Sequence, residues 1–275
     1  MGEHQGAKGP IGIFDSGVGG LTVVAEVRRR YPAEEVLYFG DTARVPYGNK
    51  SPETVIRYSR EIARFLLVKG IRILVVACNT SSSVALQALE GEVPVPVLGM
   101  IEPGAASAVA ASRNGRIGLI GTRATVASGA YERAIQRRAP EAKIFCAACP
   151  LFVPLVEEGW AEDPVTREVA ERYLKPLLDQ GVDTLILGCT HYPVLVPVLE
   201  YIAGPGVVLI SSARASVDHL ADHLGAEGGR GSSSRGRLTC YVTDAGTHFR
   251  AIGERILGEV IETLLPVAEE KLVAP

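Results

Sequence analysis

Short apolar runs alternate with longer amphipathic stretches along most of the chain. The runs at 11–14, 36–39, 71–77, 95–100, 143–148, 184–187, 207–210 and 238–243 read as strands. The apolar run at 71–77 is continuous and rich in β-branched residues, as expected of a strand buried on both faces of a parallel sheet. Helical patterning predicts helices over 21–30, 52–69, 82–89, 128–138, 164–178, 213–224 and 251–264. Ser51 before Pro52 starts one of them, with a hydroxyl N-cap and proline at the first helical position, and Gly70 stops it. Strands alternating with helices predict a doubly wound, Rossmann-like α/β fold with right-handed crossovers. The polar, Gly-rich start, 1–9, reads as a flexible tail, and the Gly/Ser/Arg-rich segment 228–237 as a surface loop.

The pattern then repeats. Ile117-Gly118-Leu119-Ile120-Gly121-Thr122 echoes Ile11-Gly12-Ile13-Phe14-Asp15-Ser16 at an offset of 106, and Cys78 and Cys189 close comparable strands at an offset of 111. Two independent landmarks with nearly equal offsets indicate an internal duplication. The expected architecture is two similar lobes with mainly parallel sheets and a cleft between them. The first lobe takes 10–103 plus 213–275, since the C-terminal stretch is too small to stand alone, and the second takes 104–212.

Composition narrows the function classes. In 275 residues, 47% are hydrophobic and 21% charged, which excludes general disorder. A net charge of −3 supplies no basic field for nucleic acid. No apolar stretch approaches the ~18 residues of a membrane span. Residues 1–10 lack the apolar core of a signal peptide, so a reducing, cytoplasmic location is expected. Five cysteines, an odd number, argue against a disulfide framework and for free thiols.

Two of those thiols stand out. Open α/β sheets bind ligands beyond the carboxyl ends of their strands, where Cys78 and Cys189 are both expected. Each is followed by hydroxyl and amide side chains, in Asn79-Thr80 and Thr190-His191. A buried cysteine is commonly just a small hydrophobe, but recurrence at equivalent strand ends argues for chemistry. A helix N-terminus favours thiolate, and a thiol pKa of ~8.5 suits proton transfer. Two thiols approaching a ligand from opposite lobes suit racemisation or epimerisation: one removes a proton from carbon and the other returns a proton to the opposite face.

Several segments carry a family resemblance: Ile13-Phe14-Asp15-Ser16-Gly17-Val18-Gly19-Gly20-Leu21-Thr22, Gly40-Asp41-Thr42-Ala43-Arg44-Val45-Pro46-Tyr47-Gly48, Ala77-Cys78-Asn79-Thr80, Gly121-Thr122 with Ala124-Thr125-Val126, Cys149-Pro150-Leu151-Phe152-Val153-Pro154-Leu155-Val156-Glu157-Glu158-Gly159, and Gly188-Cys189-Thr190-His191-Tyr192-Pro193. In this order they resemble bacterial glutamate racemase, of the aspartate/glutamate racemase superfamily, from about 10 to 212 and again around 243–257. The resemblance implies a cofactor-independent racemase, needing neither metal nor pyridoxal phosphate, that makes D-glutamate for peptidoglycan and forms a homodimer. It implies that Cys78 and Cys189 are the paired catalytic thiols, assisted by Asp15 and His191 respectively, with Glu157 in support. It further implies substrate binding by Asp15, Ser16, Tyr47, Gly48, Asn79, Thr80, Thr125, Thr190 and His191. Neutral donors suit an amino-acid carboxylate, and Asp15 could accept from its ammonium.

Other readings are weaker. An aspartate racemase of the same superfamily or a non-catalytic amino-acid-binding protein could use the same cleft, although binding alone needs no paired thiols. The loop Asp15–Gly20 lacks G-x-G-x-x-G spacing and a P-loop lysine, so it reads as a tight turn. Cys146-Ala147-Ala148-Cys149 has no second pair for zinc and lies in and at the end of a strand, which disfavours metal or redox use. Cys240 reads as core. His219 and His223, four apart between Asp218 and Asp222, read as a solvated helix face, and Arg28-Arg29-Arg30 and Arg137-Arg138 as solvated helix ends.

Overall fold

A computed structural model describes residues 9–224 and 235–273. The tail 1–8 and most of the 228–237 segment lie outside these described residues. Ten strands form two sheets: β1 (Ile11–Asp15), β2 (Val36–Gly40), β3 (Ile73–Val76), β4 (Val97–Leu98), β5 (Arg116–Gly121), β6 (Lys143–Ala148), β7 (Thr184–Gly188), β8 (Val208–Ser211), β9 (Leu238–Val242) and β10 (Thr263–Pro266). The first sheet runs β10-β9-β2-β1-β3-β4 and the second β6-β5-β7-β8. Every pairing is parallel. The order β2-β1-β3-β4 is thus repeated by β6-β5-β7-β8. Ile11 pairs with Ile73, and Ile117 with Thr184, so the register partners are also 111 positions apart.

The continuous apolar runs follow from burial on both faces. Ile11, Ile13, Val36, Tyr38, Ile73 and Val75 point to one core with the helix Leu21–Arg30, while Phe14, Leu37, Phe39, Leu74 and Val76 point to another with Pro52–Val68. The second sheet repeats this. Ile120, Leu185 and Leu187 pack with Phe152 and Tyr192, and Ile117, Leu119 and Ile186 with Ile101 and Tyr131. Truncating a fully buried Phe14 or Phe39 to alanine would cost about 3–5 kcal/mol. β9 and β10 extend the first sheet past β2, and the helix Ser212–Leu224 packs on both Leu21–Arg30 and Ile101–Ala111.

Several expectations need correction. The helix expected over 82–89 starts earlier, as Asn79–Val84, then breaks at Ala85 before Leu86–Glu92. That early start makes Cys78 the N-cap residue. The helix expected over 128–138 is preceded by a separate turn of helix, Arg123–Ala127, and Gly129 at φ +62° divides the two. The final helix, expected over 251–264, is Thr247–Leu257. Gly258 in the left-handed region ends it, and the apolar residues beyond enter strand β10 instead. Ile101–Ala111, Phe152–Glu157 and Val196–Ala203 are helices without a sequence expectation; proline or small residues obscure their periodicity. Arg28 is no solvated helix end. It is 9% exposed, ion-paired with Glu259, and donates to the Gly236 carbonyl at 2.9 Å. Cys240 is fully buried, and His219 and His223 are exposed.

Candidate active site

The carboxyl ends of β1 and β3 face those of β5 and β7 across a cavity of about 330 Å³. Its wall contains Ser16, Tyr47, Gly48, Cys78, Asn79, Thr80, Glu157, Cys189, Thr190 and His191. Ten of the sequence-predicted site residues therefore meet at one place, although they are scattered over more than 170 positions. Asp15 and Thr125 lie behind the wall, both fully buried.

Cys78 is the first lobe's sulfur in the cavity. Its sulfur accepts from Ser81 N–H at 3.5 Å, capping the helix Asn79–Val84, and lies 3.8 Å from Ser16 Oγ. Burial, then the charge of Asp15, pushes its pKa up to about 11, against the opposing pull of the Ser81 and Ser16 hydrogen bonds. Asp15, at the end of β1, accepts from Gly17 N–H at 3.0 Å and from Thr190 Oγ1 at 3.1 Å. Burial raises its pKa, opposed first by the field of His191. Asp15 thus reaches the cavity through Thr190, a residue of the opposite lobe.

Cys189 follows β7 and is 6% exposed. His191 Nδ1 lies 3.8 Å from its sulfur, and Nε2 lies 3.0 Å from Glu157 Oε1. Burial works against a charged imidazole, but the hydrogen bonds to Cys189 and Glu157 outweigh it and raise the His191 pKa to about 10. Gly19 lets the first lobe's turn approach this group, since a Cβ there would strike both His191 and Thr190.

The strap between β2 and the helix Pro52–Val68 covers one side and contributes Val45, Pro46, Tyr47, Gly48 and Asn49. Buried charge holds it. Asp41 accepts from Arg44, Tyr47 and Thr243, and Arg44 also pairs with Glu61 while lying 4.0 Å over the Tyr58 ring. Burial and Asp41 together push the Tyr47 pKa well up, so its phenol stays protonated.

Two further residues line the cavity, and the repeat marks one of them. Thr122 stands at the offset of 106 from Ser16 and caps the helix Arg123–Ala127 through Thr125 N–H at 3.1 Å. Its hydroxyl also lies 2.9 Å from those of Thr80 and Thr125, which ties Thr125 to the wall. Arg123 adds a cation at the rim. Among the described residues no lysine lines the cavity, and no cluster of three or more His, Cys, Asp or Glu could hold a metal. Cys149 and Cys146 are separate from this site. Cys146 contacts Glu132, and Cys149 is fully buried beside Tyr192.

The arrangement offers two sulfurs on opposite walls, neutral hydroxyl and amide donors between them, and an imidazole able to hold charge beside one sulfur. Comparison with known proteins agrees with this chemistry. A sequence model of the Asp/Glu/Hydantoin racemase family matches residues 21–220. A glutamate racemase of Syntrophus aciditrophicus is 52% identical, over 90% of this chain and 93% of that protein. The crystal structure of a Thermus thermophilus glutamate racemase in complex with β-chloro-D-alanine superposes with a TM-score of 0.86 at 48% identity, covering 97% of this chain and 100% of that one. That of the Francisella tularensis enzyme in complex with D-glutamate gives a TM-score of 0.87 at 33% identity, over 94% and 97% of the two chains.

Proposed function

The chain belongs to the Asp/Glu/hydantoin racemase family, and on that premise we propose that it interconverts L- and D-glutamate by two-thiol proton transfer at the α-carbon. The observation that carries this reading is that Cys78 and Cys189 line one cavity from its two sides, each from the same strand position of a duplicated lobe. One sulfur, as thiolate, takes the α-proton, and the other, as thiol, gives its proton to the opposite face. Which sulfur starts loaded depends on the enantiomer bound. The carbanion formed between the two steps is stabilised by donors already aimed at its carboxylate.

In this reading Ser16, Tyr47, Gly48, Asn79, Thr80, Thr125 and Thr190 hold the substrate, directly or through a neighbour. Asp15 assists the Cys78 side, His191 the Cys189 side, and Glu157 orients His191. The lobes are 10–103 plus 213–275 and 104–212. The enzyme requires no pyridoxal phosphate or metal. It works as a homodimer in the cytoplasm and supplies D-glutamate to peptidoglycan.

Turnover of either enantiomer in heavy water, without added cofactor, tests the reaction. Product carries deuterium at the α-carbon from the start, while unreacted substrate keeps its protium, because different sulfurs remove and deliver the hydrogen. Rapid deuterium wash-in to the substrate before product forms would point to a single shared base. Turnover of aspartate without glutamate would move the substrate assignment within the family, and binding without loss of optical activity would remove catalysis.

A further inference from the structure

Asn79 occupies the first position of the helix Asn79–Val84 and lines the cavity. Its amide sits in a hydrogen-bond chain whose direction is set at one end. That end is the Leu187 carbonyl, which can only accept. Ser212 Oγ donates its one proton to it at 3.0 Å. With that proton spent, Ser212 Oγ can only accept from Asn79, at 3.2 Å, so the amide atom facing it is Nδ2. Oδ1 therefore faces Tyr131, whose hydroxyl donates to it at 2.7 Å. Tyr131 is fully buried and Asn79 and Ser212 are each 2% exposed, so water does not compete for these groups. Burial also raises the Tyr131 pKa, which keeps the donor proton in place.

We propose that Tyr131 and Ser212 are positioning residues that lock the Asn79 amide so that it presents an N–H to the substrate carboxylate. Nδ2 carries two hydrogens, Ser212 takes one, and no described protein acceptor takes the other. An amide free to turn would instead offer Oδ1, an acceptor, to an anionic oxygen. The lock joins the end of β3 to the helices Ala130–Arg138 and Ser212–Leu224, so it forms only when the lobes are docked. Gly104 leaves room for it, since a Cβ there would lie 3.1 Å from the Tyr131 hydroxyl. This inference rests on the glutamate reading above.

Titration calorimetry with racemic glutamate, which gives an apparent Kd unaffected by turnover, and steady-state racemisation, on the wild-type enzyme and Tyr131→Phe, test it. The ring is kept and only the donor is lost. Leaving a buried acceptor unpaired predicts a rise of about tenfold in both Kd and KM, with a smaller change in kcat. In an Asn79→Ala background, Tyr131→Phe should cause no further rise in Kd, because the residue acts only through that amide. Gly104→Ala, which crowds the hydroxyl, should raise Kd in the same direction and serves if Tyr131→Phe folds poorly. An unchanged Kd in Tyr131→Phe, or equal rises with and without Asn79, would overturn the lock. A wild-type protein that binds glutamate without racemising it would overturn the proposed activity and leave this inference standing, whereas one that binds no glutamate would overturn both.

Discussion

The two halves of the site share a backbone plan and differ in the groups around their sulfurs. Cys78 and Cys189 follow equivalent strands of the repeated β2-β1-β3-β4 and β6-β5-β7-β8 order. Around Cys78 the shell is a helix N-terminus, hydroxyls and the buried Asp15, and the thiol is pushed up to about 11. Around Cys189 the shell is His191 backed by Glu157. The duplication offsets place Gly121 opposite Asp15, and Thr80 opposite His191. Identical shells would favour the same protonation state at both sulfurs, but a two-base reaction needs one sulfur loaded and one empty. Unequal shells allow the two sulfurs to differ, and in the proposed reaction the bound enantiomer decides which one carries the proton. Asp15 then ties the halves together, accepting from Thr190 and feeling the charge of His191.

Removing either sulfur abolishes the comparison. Cys78→Ser and Cys189→Ser should each lower racemisation by about 10³-fold or more, followed by circular dichroism of the glutamate pool; near-wild-type rates in either would end the two-thiol mechanism. His191→Asn sharpens the comparison, because it removes the charged group from one side only. We expect a loss of about 10²-fold. L- and D-glutamate have equal free energies, so kcat/KM must fall equally in both directions. The asymmetry must appear in kcat, in KM and in the α-deuterium isotope effect, which should differ between the enantiomers. Equal isotope effects would show that His191 does not belong to one thiol. Glu157→Gln should cost about tenfold, and nothing further when combined with His191→Asn, since Glu157 acts through the imidazole.

How far the sequence could show this depended on how local each signal was. The strands around both cysteines were visible because burial on two faces leaves unbroken apolar runs such as Ile73–Val76. Helices with patterned faces, Leu21–Arg30 and Pro164–Leu178, were equally plain. The small-residue helix Ile101–Ala111 was not, since alanine and glycine give little periodic contrast. Most of the cavity wall was legible, but Thr122 was not picked out, although the repeat offset from Ser16 points to it. Asp15 shows the opposite limit. Its position in the motif was clear, while its burial behind Thr190 depends on how the lobes dock. The fate of Arg28 likewise depended on Glu259, which is distant in sequence.

The smallest effect concerns stability rather than rate, and it separates the two sides by pH. His191 has an ordinary pKa of 6.5 and is raised to about 10 in the folded protein. The folded state therefore favours its protonated form. That contribution is complete below about pH 6.5 and is lost progressively as pH rises toward about 10, so stability should fall across this window. Cys78 is also raised, from 9.0 to about 11, but its loss begins only above about pH 9. Between about pH 6.5 and pH 9 the imidazole acts without Cys78. Urea midpoints of the wild type should decline over that interval, and those of His191→Asn should decline less. Burial alone would lower the pKa of a histidine and reverse the sign. Parallel slopes in the two proteins would mean that the folded protein holds no extra proton at His191 and its partners over this interval.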